Sequence, residues 1–214
     1  TAVVVLAGLI NAMKVVGKKL ADCKIVLVGA GAAGVAVSKL RYNDAQPRIV
    51  AVDSKGIIEA SRDNLNDEKK LLLEFSPDEN PGSLADAVQD ADIFIGVSQP
   101  GLLTPDMIKT MAKNPIVFAL ANPTPEIMPD IAKQAGVAVM ATGRSDFPNQ
   151  VNNALAFPGI FRGALDNRIN KITDDHKIAA AETIANFVKE PTSEEIIPSI
   201  FAANLTEKIA EQII

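Results

Sequence analysis

The segment from Cys23 to Asp53, CKIVLVGAGAAGVAVSKLRYNDAQPRIVAVD, constrains the fold more than any other, because it holds a strand, a glycine-rich turn, a helix and a second strand in one uninterrupted run. Ile25 to Val28 is a short, mostly β-branched apolar run of the kind buried on both faces of a parallel sheet. It leads directly into Gly29-Ala30-Gly31-Ala32-Ala33-Gly34. Gly29 permits the tight turn, Gly31 has no Cβ to hold a pyrophosphate off the backbone, and Gly34 lets the following helix pack closely. That helix, expected over Ala32 to Arg41, would present its unpaired N–H groups and the positive end of its dipole to the phosphates. With 13 glycines in the chain, three at these offsets arise by chance in roughly one such chain in twenty, so the context decides. Ile49 to Val52 reads as a second strand ending at Asp53, 19 residues after Gly34. That is close to the ~20 residues expected of an acid that holds an adenosine ribose. The segment is therefore a dinucleotide site in expectation, with residues Gly29, Ala30, Gly31, Ala32, Ala33 and Gly34 on the pyrophosphate and Asp53 on the ribose.

A chain of 214 residues, 48% hydrophobic and 22% charged, can bury a full core and fits one α/β domain over residues 1–214. The formal charge of −5 comes with no long basic run, which gives no footprint for nucleic acid. The single cysteine, Cys23, excludes an internal disulfide and a cysteine-rich zinc site, and it fits a reducing, cytoplasmic setting. The apolar opening TAVVVLAGLINAM has no basic leader and is broken by Asn11 and Lys14 well short of ~18 residues, so it is predicted as a buried helix rather than a signal or membrane segment. The absence of an initiator methionine at Thr1 suggests a processed chain or an excised piece of a larger one.

Leu6, Ile10 and Met13 have helical spacing, with Gly17 available to end the helix. After Asp53, Ser54-Lys55-Gly56 is a turn, and the charge-dense stretch from Glu59 to Asn80 is expected to be solvated surface. Ser83 is expected to cap a helix over Leu84 to Gln89. Ala91 to Val97 is the third strand, stopping at Ser98. Thr104-Pro105 opens a helix to Ala112. Ile116 to Leu120 is the fourth strand, stopping at Ala121-Asn122-Pro123, and a helix around Glu126 to Gln134 precedes the fifth strand, Val137 to Ala141. Such alternation predicts an α/β, doubly wound parallel sheet of Rossmann type with a leading helix and C-terminal helices. The strand ends Gly29, Asp53, Ser98, Asn122 and Thr142 gather polar or glycine residues on one edge, where ligands bind in such sheets. Gly143 to Asn153 is a long polar loop whose asparagines either serve a site or satisfy turn backbone. The stripes Ile178, Ala181, Ala185, Val188 and Leu205, Ile209, Ile213 predict helices that cover the sheet. His176, the only histidine, lies far in sequence from every strand end and is not expected to be a general base.

Five runs in order, TAVVVLAGLINAMKVV, VGAGAAGVAV, VDSKGII, FALANPTPEI and TGRSDFPNQVNNALAFPGIFRGALD, give the chain its resemblance to the cofactor-binding domain of a malic enzyme of the small prokaryotic type. The resemblance covers essentially the whole chain, and the Asn122-Pro123-Thr124 and Gln150-Val151-Asn152-Asn153 elements are far more specific than the glycine turn. It implies oxidation of L-malate at C2 by hydride transfer to a nicotinamide, then decarboxylation of oxaloacetate to an enol of pyruvate that is protonated. By the same resemblance, Asn122 and Asn153 would sit beside the nicotinamide and the malate, Asn152 near them, and Ser98 beside the cofactor. The acid and base, a tyrosine and a lysine, and a Glu-Asp pair of ligands for Mg2+ or Mn2+ are implied in an earlier domain. A third metal ligand is implied just before Thr1. No catalytic or metal residue is therefore expected in this chain, which alone would be inactive. Tyr42, its only tyrosine, follows the cofactor-loop helix and is no candidate for the acid. A homodimer is implied as well.

Asp53 can accept hydrogen bonds from both ribose hydroxyls and repel a 2′-phosphate, which favours NAD. Lys55, Lys69 and Lys70 could instead form a cationic clamp for NADP. The acid is fixed by its strand whereas lysines on surface loops are usually solvated, so NAD is the expected cofactor and NADP the alternative. Two other functions share the glycine turn: an amino-acid dehydrogenase, which the Asn-Pro-Thr and Gln-Val-Asn-Asn elements disfavour, and a non-catalytic dinucleotide sensor, which the polar array beyond the cofactor disfavours.

Overall fold

Alternation within each central strand sorts the core into two faces, and a computed structural model, which describes residues 1–39, 47–63, 65–75 and 80–214, shows both covered. The elements run α1 (Ala2–Val16), β1 (Lys24–Val28), α2 (Ala32–Lys39), β2 (Arg48–Asp53), β3 (Gly56–Ile57), α3 (Asp67–Leu73), α4 (Leu84–Val88) and β4 (Ile93–Gly96). They continue α5 (Pro105–Lys109), β5 (Ile116–Ala119), α6 (Pro129–Gln134), β6 (Val139–Thr142), α7 (Phe157–Asp166), α8 (Asp174–Phe187) and α9 (Leu205–Ala210). Tyr42 and the last two residues expected in the first crossover helix, Leu40 and Arg41, lie outside the described residues.

The sheet order is β3-β2-β1-β4-β5-β6, parallel except for β3, which pairs antiparallel with β2. Ile25, Leu27, Ile49, Ile93, Ile95 and Phe118 pack on one face with α1, and Val26, Val28, Val50, Phe94 and Val117 pack on the other with α4, α5 and α6. The middles of the strands are apolar because both faces are buried. Full burial of a side chain such as Phe94 or Ile95 contributes about 1.5 to 3 kcal/mol. The doubly wound sheet expected from the sequence is present. After the expected turn at Ser54-Lys55-Gly56 comes the short strand β3, and the stretch from Glu59 to Asn80, expected to be solvated surface, instead holds the helix α3. Asn66 caps α3 by accepting from the Lys69 N–H, and α3 buries Leu72.

Leading helix α1 is buried over most of its length and ends at Gly17, in the left-handed region at φ 68°. It crosses β5 closely: a Cβ on Gly8 would lie 3.0 Å from the Phe118 ring. This face of the sheet is already occupied by α1, so α8 packs chiefly on α1, and α9 packs on α7. The C-terminal helices thus add a second layer instead of covering the sheet directly. The two helical layers are tied by Asn11, fully buried in α1, which donates to the carbonyls of Ala185 (2.8 Å) and Ile196 (3.0 Å) and accepts from Lys14. His176 caps α8 through Nδ1, which accepts from the Thr173 N–H. Among the described residues no helix is long and apolar enough to cross a membrane.

Removing the Asn11 amide leaves the Ile196 carbonyl without that donor and the Ala185 carbonyl with only the Val188 N–H, and an unmet buried group costs about 1 to 3 kcal/mol. Asn11→Ala is therefore expected to destabilise the fold by about 2 to 4 kcal/mol in urea unfolding; a change below about 0.5 kcal/mol would show that water replaces the amide.

Candidate functional site

Strand order reverses between β1 and β4, and a crevice opens there outside the carboxyl ends of the strands. The turn after β1 is built from close backbone approaches. Gly29 sits at φ 119°, donates to the Val52 carbonyl at 3.0 Å, and has no room for a Cβ, which would lie 2.9 Å from the Val97 carbonyl oxygen. A Cβ on Gly34 would come within 2.0 Å of the Gly29 carbonyl oxygen, so this glycine closes the turn on itself as well as on the strand. Gly31 faces open space. With Ala30, Ala32 and Ala33 completing the turn, the backbone at the start of α2 is accessible to a phosphate, and the first N–H groups of a helix have no acceptor within it.

Beside this turn lies a cleft of about 340 Å³ lined by Ala33, Ser98, Asn122, Asn152, Asn153 and Thr1, among others. The volume suits a small ligand or the end of a larger one. Ser98 follows β4, Asn122 follows β5, and Asn152 and Asn153 end the loop that leaves β6. Four residues singled out from the sequence thus share one cleft with the glycine turn, although they come from three chain segments. The loop asparagines divide their work. Asn149 is buried and structural: its Nδ2 donates to the Met140 and Ser193 carbonyls (2.9 and 2.7 Å) and its Oδ1 accepts from the Ile196 N–H (2.8 Å). Asn152 lines the cleft but also accepts from the Ala154 N–H, capping a short 3₁₀ turn. Asn153 is exposed to the cleft.

Asp53 ends β2 on the same edge, away from the cleft, and its surroundings differ from the sequence expectation. Arg62 grips it through two bonds (Nη1–Oδ1 3.0 Å, Nη2–Oδ2 2.8 Å), Lys69 Nζ lies 2.8 Å from Oδ2, and the Lys55 N–H lies 2.8 Å from Oδ1. Each oxygen has two donors, which fills the roughly four lone-pair sites of a carboxylate. Burial raises the carboxyl's pKa, but the hydrogen bonds from Arg62 and Lys69 outweigh it and hold the group at about 2. Lys69, read as solvated surface, is fixed on Asp53 because α3 aims it there; Lys70 pairs with Asp67 instead. Arg62 was missed, since nothing in its sequence position marks it as the partner of an acid nine residues earlier.

Glu126 was also missed as a site neighbour. The expected helix from Glu126 begins only at Pro129, and proline at the first helical position was the available signal. Glu126 lies instead in the loop after the cis Asn122–Pro123 bond, fully buried behind the cleft wall. Its Oε1 accepts from the Ser98 N–H and its Oε2 from the Ala121 N–H, both at 3.0 Å. Burial pushes its carboxyl above the ordinary range, and those N–H groups pull the other way. Arg144 joins the β6 loop to the same turn, donating to the Pro123 carbonyl at 3.3 Å while paired with Asp146.

The family model described as the malic enzyme NAD-binding domain matches residues 1–214. A bifunctional malic/malolactic enzyme of Bacillus subtilis is 51% identical over all of this chain and 53% of its own length, and an NAD-dependent malic enzyme of Geobacillus stearothermophilus is 49% identical over all of this chain and 45% of its own. Relatives named as NADP-dependent malic enzymes match as well, among them that of Halomonas elongata at 46% identity. A solved malic enzyme from Pyrococcus horikoshii superposes on 99% of this chain and 52% of its own at a TM-score of 0.93 and 44% identity. The chain spans about half the length of the curated relatives it matches. These matches set aside the amino-acid dehydrogenase reading: the chain belongs to the malic enzyme family, as its NAD-binding domain.

Proposed function

We propose that this chain is the cofactor-binding half of an enzyme that oxidatively decarboxylates L-malate to pyruvate and CO2 with reduction of NAD or NADP. The observation that carries the reading is the shared cleft, where Asn122 and Asn153 stand beside Ser98 and the start of α2. An asparagine amide can donate to a carboxylate and accept from a hydroxyl or carboxamide, so two of them at the mouth of a dinucleotide crevice can orient a small hydroxy acid against a nicotinamide. The fit to a dinucleotide is supported by Gly31, whose missing side chain leaves space where a pyrophosphate would lie. Bound dinucleotide supplies the hydride acceptor. The tyrosine and lysine that move protons, and the ligands for Mg2+ or Mn2+, belong in this reading to another part of the same polypeptide. The assembled enzyme is a cytoplasmic homodimer.

Asp53, Arg62 and Lys69 form the adenosine end. The two cations offset the acid, so a 2′-phosphate meets no net repulsion there, and a ribose hydroxyl reaches Asp53 only if one donor gives way. Cofactor choice accordingly rests on the cations as much as on the acid that the sequence brings to notice.

Three measurements test this reading. Gly31→Val is expected to abolish dinucleotide binding by calorimetry while the circular dichroism spectrum stays that of the parent, because a Cβ at this position has no protein atom within 4 Å and the added side chain fills the ligand's space; unchanged affinity would remove the turn from the site. Asn153→Ala in the full-length enzyme is expected to lower kcat/KM for malate by roughly ten- to a hundredfold, the loss of about 1.5 to 3 kcal/mol from one hydrogen bond to a charged group, with dinucleotide affinity in the absence of malate little changed. Parental kinetics in that variant would leave Asn153 a turn residue. Lys69→Ala is expected to lower kcat/KM for NADP relative to NAD by about tenfold, and an unmoved ratio would remove Lys69 from the choice.

A further inference from the structure

The Glu126 carboxylate lies where no substrate or cofactor can touch it, yet its two oxygens serve two different strand ends. Oε1 holds the N–H of Ser98, beyond β4, and Oε2 holds the N–H of Ala121, the residue before Asn122 beyond β5. These strands are already joined by their ladder as far as the pair Gly96 and Ala119. The carboxylate therefore adds nothing to strand pairing and acts past its end, on the two loops that line the cleft. Room for it is made by Gly96, where a Cβ would lie 2.3 Å from the Glu126 Cδ. A buried carboxylate costs free energy that an apolar side chain of the same size does not. Its benefit is specific: only the ionised group presents an acceptor on both oxygens.

We propose that Glu126 is a positioning residue whose carboxylate locks the Ser98 loop and the Asn122 loop into one wall, fixing where the nicotinamide end of the dinucleotide meets the substrate. The inference rests on the functional reading above and deepens it, since it names a residue that governs the nicotinamide half of the site and leaves the adenosine half alone.

The test compares NAD with ADP-ribose, which lacks the nicotinamide, on the full-length enzyme. In Glu126→Gln the side chain keeps its size, but its NH2 group faces one of the two N–H donors and releases that loop. Affinity for NAD and kcat/KM for malate are expected to fall about tenfold or more, while affinity for ADP-ribose stays within about twofold. Gly96→Ala displaces the carboxylate without removing it and is expected to give the same split, and the comparison is read on whichever variant folds. Parallel losses for NAD and ADP-ribose would make Glu126 a general structural residue and overturn the proposal, as would unchanged NAD affinity or failure of both variants to fold. A parent enzyme that does not turn over malate would defeat the functional reading but leave the NAD and ADP-ribose comparison intact.

Discussion

Backbone must approach backbone at the carboxyl ends of β1 and β4, and the rest of the site depends on that contact. Gly29 lies against the Val97 carbonyl and Gly34 against the Gly29 carbonyl, at separations that leave no space for a Cβ. A side chain at either position would push α2 away from the sheet or the turn away from β4. The crevice would then lose its floor. Gly31 is the contrasting case, a glycine where a Cβ would meet nothing within 4 Å. Two of the three motif glycines therefore serve the fold and the third stands clear of it, a division the spacing alone does not reveal.

Two carboxylates near the same sheet edge are stabilised in opposite ways. Asp53 is held by two side-chain cations and its carboxyl is drawn down to about 2, whereas Glu126 is held by two backbone N–H groups and burial keeps its carboxyl above the ordinary range. The first arrangement sets two cations against one acid at the end of β2, which bears on recognition of a charged ligand there. The second leaves no charge on the surface and acts by geometry. Deep burial of α1 and the layer of α8 upon it support this edge, with Asn11 and Asn149 each bonding to backbone groups of segments distant in the chain.

Much of this was legible in the amino-acid sequence. The five parallel strands, the glycine turn, the leading helix with its Gly17 stop, the cap at Ser83 and the proline start after Thr104 follow from local rules: apolar runs of strand length, glycine where the chain turns or closely approaches itself, and helix-start residues before helices. Strand ends could be placed on one edge because parallel strands joined by helices have no other arrangement. The gathering of Ser98, Asn122, Asn152 and Asn153 was expected from that topology together with the resemblance to a family.

Which polar groups meet depends on the folded arrangement of distant segments. Arg62 finds Asp53 because β3 turns the chain back antiparallel to β2, Lys69 finds it because α3 forms where the sequence suggested plain surface, and Glu126 reaches two strand ends because its loop folds beneath them. Asn149 and Asn152, identical in type and three residues apart, split between core and cleft according to which backbone groups lay within reach. From its residues alone the chain specified its parallel strands, the glycine turn and the edge that gathers their polar ends, because those obey short-range periodicity and sterics. Partner choice among charged and amide groups depends on distances between segments far apart in the chain, and those distances exist only once the chain has folded.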